Sequence, residues 1–349
     1  MFWIIGGDYL VSTLTKSSKN EFVQAVAAQV TDHVEWAGFR YYDMIFPLFL
    51  FIIGAVLPFS LGKRLEMGAD KRAVLLKVLS RSAVLFLLGL IYNGLLRFEG
   101  WDHLRLFGVL QRQAIGYLCA SLFMIYTKPK VQAISCVAIL IGYWALMAFA
   151  HVPGFPPGTY SPQGNFANYV DRLILLPKQM YTPYGDPEGL ISMIPSVATA
   201  LLGVLSGHWL KSQQPENRKT LGLLLGGLVL VALGLVWSLE FPIIKKIWTS
   251  SYVLVAGGCS MMLLGTFHWI VDVKGWHKWA LPFTVIGMNS ILIYMLSEII
   301  DFGKASGYFL GGLAHLAPDH GEQIGAFGSL LAKIGLLYFL YRQKLYFRV

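Results

Sequence analysis

The chain has 349 residues, of which 56% are hydrophobic and 13% charged, with a formal net charge of +9 and a mean hydropathy of +0.58. An ordinary soluble domain carries about 25% charged residues, so the composition excludes a soluble enzyme and describes an integral membrane protein. The basic residues are scattered through short loops between apolar runs, which reads as a topology signal and excludes a nucleic-acid partner.

Residues 1–14 are apolar but too short to cross roughly 30 Å of hydrocarbon at about 1.5 Å per residue. They lack the charged start and small-residue cleavage site of a signal peptide, so they read as a first helix that is truncated, with a true start upstream of Met1. After a polar stretch at 15–41, apolar runs follow at about 42–62, 73–95, 106–126, 130–150, 190–210, 220–239, 250–271, 280–300 and 324–341. Together they predict an all-α, polytopic membrane helix bundle of about ten transmembrane helices. Residues 1–349 read as a single domain, since the loops leave no room for a soluble one. The longest loop, 151–189, is rich in Pro, Gly and Tyr and reads as an ordered, substrate-facing segment. Gly226-Gly227 and Gly257-Gly258 fall inside spans, where they permit close helix packing. Cys119, Cys136 and Cys259 lie in apolar runs without metal-ligand spacing, so neither a disulfide framework nor a metal site is expected.

The loops alternate in character. The short set at 61–72, 127–130, 211–219, 271–279 and 342–349 is dense in Lys and Arg, and the longer set is sparse. By the positive-inside rule the short loops and the C-terminus are cytoplasmic. For a bacterial inner membrane, residues near 33, 101 and 186 then face the periplasm.

Polar groups at or near membrane depth are costly unless paired or functional. Asp8, His33, Asp43, Asp186 and Glu188 all fall towards the outer face. Imidazole can take or give a proton at working pH, and a neighbouring carboxylate would fix its tautomer. His33 is therefore a candidate general base or acyl-accepting nucleophile, with Asp8 and Asp43 as partner acids. The bland reading of an interfacial histidine is simple solvation. Asp186-Pro-Glu188 reads first as an N-terminal cap of the next helix, with a second role left open. Arg112, in the fourth span beside Gln111, calls for a buried carboxylate, which Asp43 or Asp102 would supply. Trp36, Tyr41, Tyr42, Trp101, Trp248, Trp276 and Trp279 read as the interfacial aromatic belt; Trp36, three residues from His33, is also suited to stack on a sugar ring. Asn289 is the polar residue of the ninth span.

The ordered set His33-x-x-Trp36-x-Gly38, Asp43-x-x-Phe46-Pro47, Trp101-Asp102, Gly108-Val-Leu-Gln111-Arg112, Tyr169-Val-Asp171-Arg172, Asp186-Pro-Glu188-Gly189, Val271-Asp-Val-Lys-Gly275 and Gly287-Met-Asn289-Ser resembles the heparan-alpha-glucosaminide N-acetyltransferase family over nearly the whole chain, in its bacterial branch. The resemblance implies transfer of acetyl from cytosolic acetyl-CoA to an amino sugar on the far side, with His33 as the catalytic histidine. Asp8 matches a family position that is often Asn. As an ionised carboxylate it cannot serve as an oxyanion donor, but it can partner His33. The Leu-Asp-x-Leu-Arg-Gly segment that relatives carry before the first helix is missing, as a truncated start implies. Asp186, Glu188, Gln111, Arg112, Asn289 and Trp36 are the expected substrate-binding residues.

Two other readings compete. A multispan transporter or flippase for a sugar or lipid-linked intermediate would have this composition, but it would concentrate its polar groups near the midplane at broken helices. An O-acetyltransferase would keep the donor and replace the amine by a sugar hydroxyl. Expected partners are acetyl-CoA as co-substrate, an amino-sugar acceptor and the bilayer; the oligomeric state is left open, a homo-oligomer included.

Overall fold

The protein, a computed structural model, is described over residues 1–16 and 18–347, with Pro318 as backbone only. Among the described residues every regular element is a helix, as the spacing of apolar runs predicts. In chain order they are α1 (Asp8–Thr15), α2 (Glu21–Thr31), α3 (Ile45–Leu57), α4 (Lys63–Glu66), α5 (Lys71–Tyr92), α6 (Val109–Tyr126), α7 (Pro129–Phe149), α8 (Phe166–Ile174), α9 (Met193–Lys211), α10 (Glu216–Trp237), α11 (Ser250–His268), α12 (Leu281–Met288), α13 (Ser290–Ile299), α14 (Phe302–Leu316) and α15 (Gly321–Arg342). Local chemistry sets several starts. Asn20, Asp70, Asn165 and Thr249 cap α2, α5, α8 and α11 with side-chain oxygens that accept first-turn N–H groups.

Among the described residues seven helical stretches are long and apolar enough to cross a membrane, or eight if the bent pair α12 and α13 counts as one. The two other runs of the expected ten do not meet that length and composition: Trp3–Thr15, which joins a π turn to α1, is short, and α6 carries Gln111, Arg112 and Gln113 in its first turns, which dilutes an otherwise apolar helix. Segments read as loops also hold the helices α2, α8 and α14.

The chain forms two compact units. The smaller comprises residues 1–33, 40–42 and 275–349, and the larger residues 34–39 and 43–274. In the larger, α3 and α9 approach so closely that a Cβ on Gly54 would meet the Ala200 carbonyl oxygen at 1.9 Å, and one on Gly203 the Phe51 carbonyl oxygen at 1.9 Å. Small residues are what let two apolar helices pack backbone to backbone in lipid. Gly227 of α10 and Gly258 of α11 use the same device: a Cβ on either would sit 2.6 Å from the other's carbonyl oxygen, as the glycine pairs in the sequence lead one to expect.

One end of this larger unit gathers α4, α5, α6 and α9. Lys211 at the end of α9 pairs with Glu66 of α4 at 2.7 Å, and Lys71 lies 6.0 Å from the Tyr126 ring centroid. Lys63, Arg64, Arg72, Lys128 and Lys130 are exposed on the same helix ends and their short connections. Asp43, Arg105, Asp186 and Trp36 belong to segments leading into or out of the opposite helix ends.

In the smaller unit the core is Ile5, Val285, Ile286, Ile293, Phe302, Leu330 and Leu337. The first helix is kinked there, because Gly6 takes φ +123° inside the π turn, a conformation open to glycine and strained for other residues. The α12–α13 pair bends by 63° at Asn289.

Candidate functional site

The larger unit builds a charged knot around the 181–190 turn. Arg105 donates from Nε to Asp186 Oδ2 at 2.7 Å and from Nη2 to Asp186 Oδ1 at 2.6 Å, and it also pairs with Glu188. The Asp186 side chain is fully buried. Burial opposes charge on Arg105, but the two carboxylates outweigh it and push its pKa above the usual guanidinium value. Asp186 is tied further by the N–H groups of Glu188 at 2.9 Å and Tyr181 at 3.2 Å. α9 begins only at Met193, after Ser192. The reading of Asp186-Pro-Glu188 as a helix cap is therefore corrected: these acids lie upstream of the helix, in a turn that Arg105 holds closed.

Asp171 of α8 supports that turn from behind. Its two carboxylate oxygens accept the N–H groups of Asp186 at 3.2 Å and Leu190 at 3.1 Å. Burial pushes its pKa up to about 6, against the opposing pull of those two hydrogen bonds.

Arg112 is fully buried and finds neither expected carboxylate. Its Nη2 donates to the Pro187 carbonyl at 2.8 Å and to the Ser192 hydroxyl, and its guanidinium lies 4.4 Å from the Trp248 ring centroid. Asp43 pairs with Lys245 at 3.3 Å, and Asp102 lies by His103 at 3.2 Å and Lys178 at 3.5 Å. The sequence could not foresee this, because the partner is a backbone carbonyl 75 residues away. Gln111 is buried beside it, against Gly89, with neither amide atom hydrogen bonded among the described residues. Trp248 is corrected as well. It is 1% exposed, donates to Thr199 Oγ1 at 3.1 Å and stacks edge-on with Phe46 and Tyr252, so it is core rather than interfacial belt.

Asp43 is buried in the larger unit. It accepts the Val34 N–H at 3.3 Å and the Lys245 ammonium, and its own carbonyl accepts the Tyr252 hydroxyl at 2.7 Å. Burial lowers the Lys245 pKa, and Asp43 opposes that shift. Trp36 donates from Nε1 to the Tyr160 carbonyl at 2.8 Å, and the Lys246 ammonium lies 5.9 Å from its ring centroid. Trp36 and Lys246 edge a cleft of about 340 Å³ whose walls include Glu35, Trp36, Asn168, Tyr184, Asp186 and Lys246. A cleft of that volume, with an indole, the Glu35 carboxylate, an amide and an ammonium on its walls, suits a polar ring-shaped ligand.

In the smaller unit His33 is exposed, and its ring lies 4.5 Å centroid to centroid from Tyr42. The Tyr42 hydroxyl donates to Asp8 Oδ2 at 2.6 Å, while the Tyr9 N–H donates to Asp8 Oδ1 at 2.7 Å. Asp8 and His33 thus share Tyr42 as a common neighbour. Asn289 holds the chain's last described segment, donating to the Leu345 carbonyl at 3.1 Å and accepting the Phe347 N–H at 2.8 Å. Among the described residues no group of three His, Cys, Asp or Glu side chains converges as a metal site would require.

Sequence reasoning missed Arg105, Lys245, Lys246, Asn168 and Glu35. Arg105, Lys245 and Lys246 had a usable signal, as basic residues in loops otherwise poor in them.

A family model described as heparan-alpha-glucosaminide N-acetyltransferase, catalytic, matches residues 18–241. Two curated relatives carry the name heparan-alpha-glucosaminide N-acetyltransferase. The one from Homo sapiens is 31% identical over 324 residues, covering 77% of this chain and 49% of its own length. The one from Mus musculus is 29% identical over 375 aligned residues, covering 91% of this chain and 56% of its own length. The chain spans about half the length of the curated relatives it matches.

Proposed function

Because the chain belongs to the heparan-alpha-glucosaminide N-acetyltransferase family, we propose that it moves an acetyl group from acetyl-CoA to the amine of a glucosamine-type sugar. The single observation that carries the chemistry is the Asp8–Tyr42–His33 array, an acid anchoring the phenol whose ring packs on the imidazole. An amine attacks only when neutral, so the acceptor needs a base. In the proposed step the amine nitrogen forms a bond to the thioester carbon, the carbon–sulfur bond breaks, His33 accepts the amine proton and the CoA sulfur leaves to be protonated. His33 can equally take the acetyl group first and hand it on; trapping of labelled acetyl on the protein without acceptor separates the two courses.

The 340 Å³ cleft supports the acceptor side of the reading, since Trp36 offers a ring face and Glu35 a carboxylate for hydroxyl or ammonium groups. Lys63, Arg64, Lys71, Arg72, Lys128 and Lys130, at the opposite helix ends, suit the phosphates of the donor. We take that basic end and the C-terminus as cytoplasmic in a bacterial inner membrane, and His33 as periplasmic.

The test is direct. Purified protein mixed with acetyl-CoA should release free CoA when glucosamine is added, and His33→Ala should abolish release while acetyl-CoA still binds. Undiminished turnover in His33→Ala removes this histidine from the chemistry. Transport remains a second reading on one observation, the 63° break between α12 and α13, a feature that transporters use. Movement of an intact sugar into liposomes, with no acetylation of amine or hydroxyl, would establish it; acetate on a sugar hydroxyl would establish O-acetylation.

A further inference from the structure

Lys333 sits about halfway along α15, roughly 18 Å from its start at about 1.5 Å per residue. α15 is long and apolar enough to cross a membrane. A lysine at that depth is costly unless the fold gives its ammonium a partner and a use.

The partner is made by the kink in the first helix. In a regular helix the Tyr9 N–H would bond the Ile5 carbonyl four residues earlier. Here that N–H donates instead to Asp8 Oδ1 at 2.7 Å, and the Ile5 carbonyl accepts the Lys333 ammonium at 2.9 Å. Gly6, at φ +123°, leaves the space: even a Cβ placed there would stand 4.0 Å from Lys333 Nζ. Phe302 covers the ammonium with its ring centroid 5.4 Å away. The other oxygen of Asp8 receives the Tyr42 hydroxyl, and the Tyr42 ring packs on His33.

We infer that Lys333 is a positioning residue for the reaction: its ammonium, docked on the Ile5 carbonyl at the Gly6 kink, holds the helix end that carries Asp8 so that Asp8 stays aimed at Tyr42, and so fixes the ring against which His33 works. This rests on the proposed role of His33. The charged and titratable groups around Asp8 are few. Tyr42 comes from the turn at Tyr41–Met44, Lys333 and Glu322 from α15, and Tyr9 and Lys16 from the helix of Asp8 itself, Lys16 being paired with Glu322 at 2.8 Å. α2 carries only Glu21, in its first turn, and α13 only Tyr294 and Glu298.

The experiment is a double-mutant cycle on the full chain in detergent, with Lys333→Met, Asp8→Asn, the double variant and Lys333→Arg. Lys333→Met should lower kcat about tenfold with KM for acetyl-CoA changed by less than about twofold. Lys333→Arg should recover most of the loss. In the Asp8→Asn background, Lys333→Met should cost less than about twofold more, and its effect on the melting temperature should shrink in the same way. Additive melting effects, or wild-type kcat in Lys333→Met, overturn the inference. If Lys333→Met does not fold, the double variant does so when its coupling to Asp8 is the reason, and its failure to fold assigns Lys333 to packing and overturns the inference. Should the wild type transfer no acetyl group at all, the proposed function falls, while the melting cycle still decides whether Lys333 acts through Asp8.

Discussion

Replacing Arg105 by methionine tests whether the knot at 181–190 is held by charge. The substitution keeps much of the stem but removes the guanidinium donors facing Asp186 and Glu188, whose side chains are 0% and 12% exposed. Two buried carboxylates are then left side by side without their cation, with only the Glu188 and Tyr181 N–H groups still serving Asp186. Removing one partner of a buried pair costs about 3–5 kcal/mol, because the penalty of desolvating the survivors remains. For a unit of this size that is a fall in melting temperature of roughly 6–20 °C. The assay is thermal unfolding in detergent. The deficit should shrink in an Asp186→Asn/Glu188→Gln background, where neither uncompensated charge is left. A loss below about 1 kcal/mol, typical of an exposed pair, or a loss unchanged in that background, refutes the argument. Asp186 also lines the cleft, so KM for the acceptor should rise more than KM for acetyl-CoA.

The carboxyl of Asp171, raised to about 6 by burial, predicts a pH dependence of the opposite sense to an ordinary ion-paired acid. Its stabilising contribution is complete below the unfolded value near 4 and is lost as pH rises through about 6, a change of roughly 3 kcal/mol; Asp171→Asn should flatten that part of the melting curve against pH, and an unchanged slope would discard the assignment. Gly203→Ala should destabilise by about 1–3 kcal/mol through the clash with the Phe51 carbonyl, whereas Gly142→Ala, where nothing lies within 4 Å, should be neutral or slightly stabilising; equal melting temperatures for the two variants would contradict the close α3–α9 approach. Trp36→Ala should raise KM for an amino-sugar acceptor about tenfold or more, with acetyl-CoA affinity unchanged, and Trp36→Phe, which keeps a ring face but loses the bond to Tyr160, should fall between; kinetics show which.

What the sequence made legible was whatever depends on local pattern. Apolar runs of span length located every described helix that is long and apolar enough to cross a membrane, and Gly227 and Gly258 announced a close helix pair because a glycine in an apolar span has few other uses. The pattern is ambiguous at α6, which mixes Gln111, Arg112 and Gln113 into an apolar helix, and Gln111 and Arg112 face a buried interior that hydropathy cannot see. The partners of buried charges were illegible for a different reason. Arg112 ends on the Pro187 carbonyl and Arg105 on Asp186, contacts across about 80 residues of chain that no spacing rule encodes. Trp248 was misread because an aromatic beside basic residues looks interfacial from sequence, while its φ of +52° and its place between Phe46 and Tyr252 follow only from tertiary packing.

The two ends of the larger unit differ in the kind of ion pair they use, and that difference bears on where its chemistry lies. Lys211–Glu66 and Lys219–Glu216 leave their carboxylates more than half exposed, and such pairs contribute about 0–1 kcal/mol. Arg105–Asp186–Glu188 and Lys245–Asp43 are largely buried. Desolvating such groups costs several kcal/mol per ion, so well-packed apolar residues would serve stability at least as well. Buried pairs do supply fixed directions: Arg105 locks Asp186 at the edge of the cleft, and Asp43 ties the Val34 N–H to Lys245, neighbour of the Lys246 that covers Trp36. Geometry rather than stability is what these pairs return, and a cleft walled by Trp36, Glu35 and Lys246 is where fixed geometry has a use.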